Sequence, residues 1–296
     1  MTPRTTTDQV HRQGTERPTA VTVACCQIAP RVGRVTENRA RVREAVLAAA
    51  DRGADIVVLP ELANSGYVFE DADELRSVAE PLDGPTVREW EALAARLRLV
   101  IVGGLAELGE AGRVHNTGVL VDGTGLRASY RKAHLWNGEK TWGFTPGDAP
   151  PPVVDTPHGR IGMMVCYDLE FPEWVRLAAL EGAELLCGPV NWPLYPRPEG
   201  ERPGEVVRMQ ADASVNRMFV AVADRTGTER GQDWLGGSVI LDANGYPVTA
   251  LRLGEEAIVT ATIDLAEARD KTISELNDVH ADRRPGLYTR VGTEQS

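Results

Sequence analysis

The chain has 296 residues, a net charge of −11 at pH 7 and a pI near 5.1, with 42% apolar residues. That length and composition supply a sizeable core, as one large domain or two small ones, and the acidic balance argues against nucleic acid or an anionic membrane as partner. Four cysteines are too few for a disulfide scaffold, which points to a reducing cytoplasm.

No apolar stretch reaches the roughly 18 residues of a membrane helix, and residues 1–20 lack the apolar centre of a secretory signal and read as a flexible tail. Val21 to Pro30 (VTVACCQIAP) then reads as a buried strand whose Cys25 and Cys26 face opposite ways. Glu37 to Arg52 has helical apolar spacing. DIVVLP is a strand, Thr86 to Leu97 a helix and LVIVGGLAE a strand. HNTGVLVDGTGLRASYRK is a hairpin turning at Asp122-Gly123 and Thr124-Gly125. The order repeats with RIGMMVC as a strand, FPEWVRLAALEG as a helix closed by Gly182, and AELLCGPV as a strand. Arg208 to Arg217 is helical, and FVAVAD, GGSVILD and AIVTATID are strands. Two βαβ halves joined by hairpins imply one α/β domain, with helices covering two packed sheets. Gly103-Gly104 and Gly236-Gly237 read as turn or strand-edge pairs, and the weakly periodic segment beyond Ala266 as a surface for a partner subunit.

Three polar residues stand at the ends of apolar strands, where α/β sheets open into ligand crevices. Cys166 ends one just before a helix begins at Phe171 or Pro172, an exposed position that favours the thiolate. Glu61 follows the proline that ends DIVVLP, and Lys132 ends the second strand of the hairpin. Taken singly, they read as a buried cysteine, a capping glutamate and a solvated lysine. Cys25, Cys26 and Cys187 read as small core residues. The five histidines show no paired spacing and no cysteine pair has ligand spacing, so nothing points to a metal.

As an ordered set, PEL…GY, YRK-x-H-L and CYD-x-x-FPE-x-x-R resemble the nitrilase superfamily of carbon–nitrogen hydrolases. EPLDGPT, FTPGD, Asn191-Trp192 and GGSVILDANG extend the resemblance over Val21 to Asp264. It implies a four-layer αββα sandwich and a Glu–Lys–Cys triad: Glu61 as general base, Lys132 as oxyanion stabiliser and Cys166 as nucleophile. Glu139, seven positions after Lys132, is the candidate for the family's second glutamate. The resemblance implies no metal or organic cofactor, and a homodimer or an assembly of dimers. The hydrolase domain spans residues 21–269, with 270–296 as a C-terminal segment at the subunit contact.

The N–H of Tyr167 is a second oxyanion donor on this reading. Asn191, Trp192 and the proline-rich loop to Pro203 wall the pocket, with Trp142 on the other side. Asn116 ties its strand to the site. Val215 and Asp224 depart from the residues common in relatives, at positions read as supporting the site. Glu173 and Arg176 are spaced for an ion pair. Glu170 either attracts an amine-bearing substrate or only favours a helix start. The implied function is an amidase that hydrolyses small neutral or amino-bearing aliphatic amides to acid and ammonia. A nitrilase and an N-carbamoyl amine amidohydrolase are the alternatives among enzymes. A catalytically idle binding or assembly protein on the same fold leaves the joint presence of Glu61, Lys132 and Cys166 unexplained.

Overall fold

Short apolar runs build two large sheets, beside two small two-stranded ones, in the computed structural model, which describes residues 20–292. The tail expected over residues 1–20 therefore lies, Ala20 apart, outside the described residues. The first sheet contains β1 (Ala20–Gln27), β2 (Ile56–Val58), β3 (Val100–Leu108), β4 (Val114–Asp122), β5 (Gly125–Arg131) and β11 (Ala257–Asp264), in the order β11-β1-β2-β3-β4-β5. The second contains β6 (Val153–Thr156), β7 (Gly159–Met163), β8 (Leu185–Pro189), β9 (Phe219–Ala223) and β10 (Val239–Leu241), ordered β10-β9-β8-β7-β6. Each has three parallel strands at its centre, β1-β2-β3 and β7-β8-β9, with antiparallel strands outside them.

Strand periodicity sorts side chains into layers. Val23 and Cys25 of β1 pack between the sheets with Met163, Cys187 and Ala221, whereas Ala24 and Cys26 face the helices α1 (Val35–Ala50) and α3 (Pro85–Leu97). Cys26 Sγ points at the Ala45 carbonyl of α1, 3.8 Å away. Behind the second sheet, α5 (Pro172–Leu180) contributes Val175 and Ala178, and α6 (Gly204–Asn216) contributes Val206 and Met209. The result is the four-layer αββα sandwich. Proline opens α3 and α5 in the first turn, where its missing N–H costs nothing.

Several elements differ from the sequence expectation. The nucleophile strand β7 stops at Met163, because Cys166 takes a left-handed φ of 49° and opens a 3₁₀ turn through Glu170. A short helix α2 (Ala72–Val78) forms behind Asp71, whose carboxylate caps the N–H groups of Asp73 and Glu74. α6 begins at Gly204, directly after Pro203. Gly103 and Gly104 lie inside β3, not at a turn or strand edge. A Cβ on Gly104 would stand 2.7 Å from Glu61 Cα, so only glycine lets the Glu61 segment close onto the sheet. Beyond α6 and β11, the C-terminal segment is built of short turns and bridges, with Ile273, Leu287 and Val291 exposed. No helix among the described residues is long and apolar enough to cross a membrane.

Candidate active site

The strands deliver their polar residues to one place. Glu61 lies three residues past β2, Lys132 directly after β5, Cys166 three residues past β7, and Asn191 two past β8. The two sheets are tied there: Asn191 Nδ2 donates to the Glu61 carbonyl at 3.0 Å, and the Glu61 N–H to the Val190 carbonyl at 3.4 Å. A short helix α4 (Glu139–Trp142) brings in Glu139.

At the centre, Lys132 Nζ donates to Glu61 Oε1 at 2.8 Å and to Glu139 Oε1 at 2.9 Å. Asn116 Nδ2 lies 2.6 Å from each of the same oxygens. The Trp136 N–H holds the other oxygen of Glu139. All three charged side chains are withdrawn from solvent. One ammonium facing two buried carboxylates leaves a net negative charge, and a buried charge without compensation is shed by protonation. Burial pushes the Glu61 carboxyl up to about 7, Lys132 pulling it down and Glu139 adding to the rise. Burial works against the Lys132 ammonium, but the Glu139 and Glu61 carboxylates outweigh it and hold its pKa well above the ordinary lysine value. Glu61 Oε2 is buried and has no hydrogen-bond partner among the described residues.

Cys166 is only 6% exposed. Its Sγ lies 3.9 Å from the Asn191 carbonyl, and burial together with the Glu61 carboxylate raises the thiol pKa well above its usual value. Cys166 does line the cavity, as expected, but burial and the Glu61 carboxylate disfavour the thiolate that its strand-end position suggested. Its left-handed backbone, and that of Leu62 directly after Glu61 (φ 50°), mark local strain of the kind that functional sites store.

A cavity of about 260 Å³ opens onto Cys166 and is lined by Tyr167, Glu170, Asn191 and Trp192, as the sequence suggested. Asp224 holds that wall, accepting from the N–H groups of Trp192 (2.9 Å) and Gly237 (2.8 Å). Trp142 does not line the cavity. It packs edge-on against Tyr67 and Phe69, one layer behind, and Trp136 takes the wall position facing Tyr167. Val215 is half exposed on the outer side of α6, away from the site. Arg176 makes no ion pair with Glu173 but donates to the Val215 carbonyl at 2.8 Å, because it points across to α6. Glu170 is paired with Arg208 of α6 at 2.9 Å.

Sequence reading missed Trp136, Arg208 and Asp168. Asp168 is fully buried, two residues past Cys166, and its position inside CYD was the one available signal. Arg208 comes from a helix forty-two residues beyond Cys166, and no local pattern links the two. Among the described residues no cluster of His, Cys, Asp and Glu is arranged to hold a metal ion.

A strand-end cysteine, a buried carboxylate and a buried lysine on an αββα sandwich define a thiol-dependent hydrolase of the nitrilase fold. The carbon–nitrogen hydrolase family profile matches residues 22–271. The chain belongs to this family, in the amidase branch of the nitrilase superfamily, and is a carbon–nitrogen hydrolase. It is 34% identical to a nitrilase of Pyrococcus abyssi over 91% of this chain and 100% of that one. It is also 34% identical to the N-carbamoylputrescine amidase of Solanum lycopersicum, over 92% and 95% of the two chains. An amidase from Nesterenkonia sp. superposes with a TM-score of 0.74 at 27% identity, over 92% of this chain and 96% of the other. In a glutamate-to-glutamine variant of that amidase, the acetamide moiety of fluoroacetamide is bound covalently at the active-site cysteine.

Proposed function

We propose that the protein is an amidase that converts small neutral or amino-bearing aliphatic amides to carboxylic acid and ammonia, with Cys166 as nucleophile. The observation that carries this reading is the partnerless Oε2 of Glu61, on a carboxylate raised to about 7 and close enough to the Cys166 thiol to perturb it. A base with that pKa is matched to work near neutrality. Glu61 takes the thiol proton as sulfur attacks the amide carbon. The carbonyl oxygen becomes O⁻ and is stabilised by the Lys132 ammonium and the Tyr167 N–H, each such donor being worth about 3–4 kcal/mol of barrier. Glu61 returns its proton to the nitrogen, the C–N bond breaks and ammonia leaves a thioester on Cys166. Water then gives a proton to Glu61 and attacks the thioester. Collapse of the second intermediate releases the acid and restores the thiol.

Glu139 and Asn116 hold Lys132 and Glu61 in register. We assign the hydrolase domain to residues 21–269 and residues 270–296 to a separate C-terminal segment. We further assign the exposed face between α5 and the C-terminal segment to a homodimer contact. A groove of about 890 Å³ there is lined by Leu177, Leu180, Val215, Ile273 and Tyr288, apolar side chains of the kind that a partner subunit can cover.

Incubation with a panel of short aliphatic amides, followed by ammonia release and mass spectrometry of the trapped enzyme, tests the reading. Turnover with an acyl adduct on Cys166 is expected. An adduct on Cys25, Cys26 or Cys187 instead would overturn it.

A further inference from the structure

The cavity wall is charged in a way that the hydrolysis of a simple amide does not require. Glu170 from the nucleophile turn and Glu205 and Arg208 from α6 all line it. Arg208 Nη2 lies 2.9 Å from Glu170 Oε1 and 3.4 Å from Glu205 Oε1. A guanidinium carries five N–H donors. Here Nη2 serves both carboxylates, whereas Nε is buried without a hydrogen-bond partner among the described residues. Asp212, one turn further along α6, does not line the cavity. The remaining walls of the cavity are largely aromatic, formed by Trp136, Tyr167, Trp192 and Tyr195.

Resting on the amidase reading above, we propose that this cluster recognises an α-amino acid head group, and that the preferred substrate is an amino acid carrying its amide at the far end of a short aliphatic side chain. The charges discriminate among four tails. A purely anionic tail meets Glu170 and Glu205. A purely cationic tail gains those carboxylates but places its charge beside Arg208. A neutral tail uses none of the three and must cover them, leaving charges to be desolvated without reward. A zwitterion satisfies all of them: its ammonium lies between Glu170 and Glu205, and its carboxylate accepts a charge-assisted hydrogen bond from a donor of Arg208 that the glutamates leave free. The aromatic walls then enclose the methylenes that carry the amide back to Cys166.

Steady-state ammonia release from matched compounds tests the proposal on the unmodified enzyme. One set is glutamine, its decarboxylated counterpart γ-aminobutyramide, its deaminated counterpart glutaramate, and neutral butyramide; a second set is one methylene longer. In at least one set the zwitterion is expected to exceed the other three in kcat/KM by about tenfold or more, a single well-made charged contact being worth that factor. Arg208→Leu should raise KM for the zwitterion about tenfold more than KM for the amine, and Arg208→Lys should recover part of the loss. Butyramide turned over with no advantage for either zwitterion would overturn the head-group assignment and leave the amidase reading standing. Release of ammonia from none of the compounds would overturn both.

Discussion

Asp168 and His134 are joined twice: one carboxylate oxygen accepts from the His134 backbone N–H at 2.9 Å and lies 2.7 Å from ring Nδ1. The other oxygen accepts from Tyr130 Oη at 2.7 Å and from the Ala133 N–H at 3.3 Å. Since Ala133 and His134 directly follow Lys132, and Asp168 is two residues past Cys166, this carboxylate fastens the lysine to the nucleophile turn across the two sheets. The His134 ring stacks on Phe171 at 3.8 Å and completes the fastening.

Asp168→Asn is nearly the same shape but turns one acceptor into a donor facing N–H or O–H groups. A buried hydrogen bond to a charged group contributes about 1.5–3 kcal/mol, so kcat should fall by roughly one to two orders of magnitude with a modest loss of thermal stability. Kinetics and calorimetry on the same preparation check this. If stability falls while kcat holds, Asp168 supports the fold without positioning the site.

Cys166→Ala should remove turnover and leave the fold intact. The side chain is small, and its loss leaves no charge unpaired. Circular dichroism of the variant should overlay that of the wild type while ammonia release falls to background. Residual activity near the wild-type value would move the nucleophile elsewhere.

The pH profile follows from the Glu61 cluster. A carboxyl raised to about 7 is protonated below that pH and cannot take the thiol proton. Thus kcat/KM should rise through an acid limb near pH 7, well above the ordinary glutamate range, with the proton belonging to the coupled cluster. Glu139 adds to the rise of Glu61, so Glu139→Gln should move the limb to lower pH even as the rate drops. A limb that stays in place in that variant belongs to another group.

Much of the site was legible because its residues stand at strand ends. DIVVLPE and MMVCYD each pair an apolar run with a polar terminus, and SYRK closes the second strand of a hairpin; such termini map onto a sheet end with little ambiguity. The βαβ halves were legible for the same reason. What the pattern could not reveal is contact between distant segments. Trp136 precedes and Trp142 ends the same short helix, and only the way Trp142 packs under Tyr67 decides which of them lines the cavity. Glu170 looked like an unopposed charge because Arg208 is remote in sequence. Strand-end position predicted access but not the bias against the thiolate, which comes from burial and the Glu61 carboxylate brought in from another strand.

The dimer assignment predicts that the protein sediments at twice the chain mass at micromolar concentration. Leu177→Asp together with Val215→Asp places two carboxylates on the proposed contact, each on a residue already partly exposed in the monomer. Such a variant should fold, and sediment as a monomer. Wild type that is monomeric and fully active would refute the assignment.

Amides should be hydrolysed faster than the matching nitriles. With an amide, the charge that develops on attack is on oxygen, and the Lys132 ammonium sits at the Glu61–Glu139 pair where Cys166 feels it. The leaving nitrogen needs one proton, and Glu61 has just acquired one from the thiol. A nitrile places the developing charge on nitrogen and gives a thioimidate, which must be protonated, then hydrated, before ammonia can leave. That sequence calls for additional proton delivery while the same carboxylate is already protonated, and Lys132, held by Glu61 and Glu139 with its pKa well above the ordinary value, is a poor proton donor. Parallel kinetics on butyramide and butyronitrile decide the matter. A kcat/KM for the amide at least about tenfold higher, equivalent to about 1.4 kcal/mol of barrier, is expected. Faster turnover of the nitrile would show that protons reach nitrogen by a route other than Glu61, and would reassign the enzyme as a nitrilase.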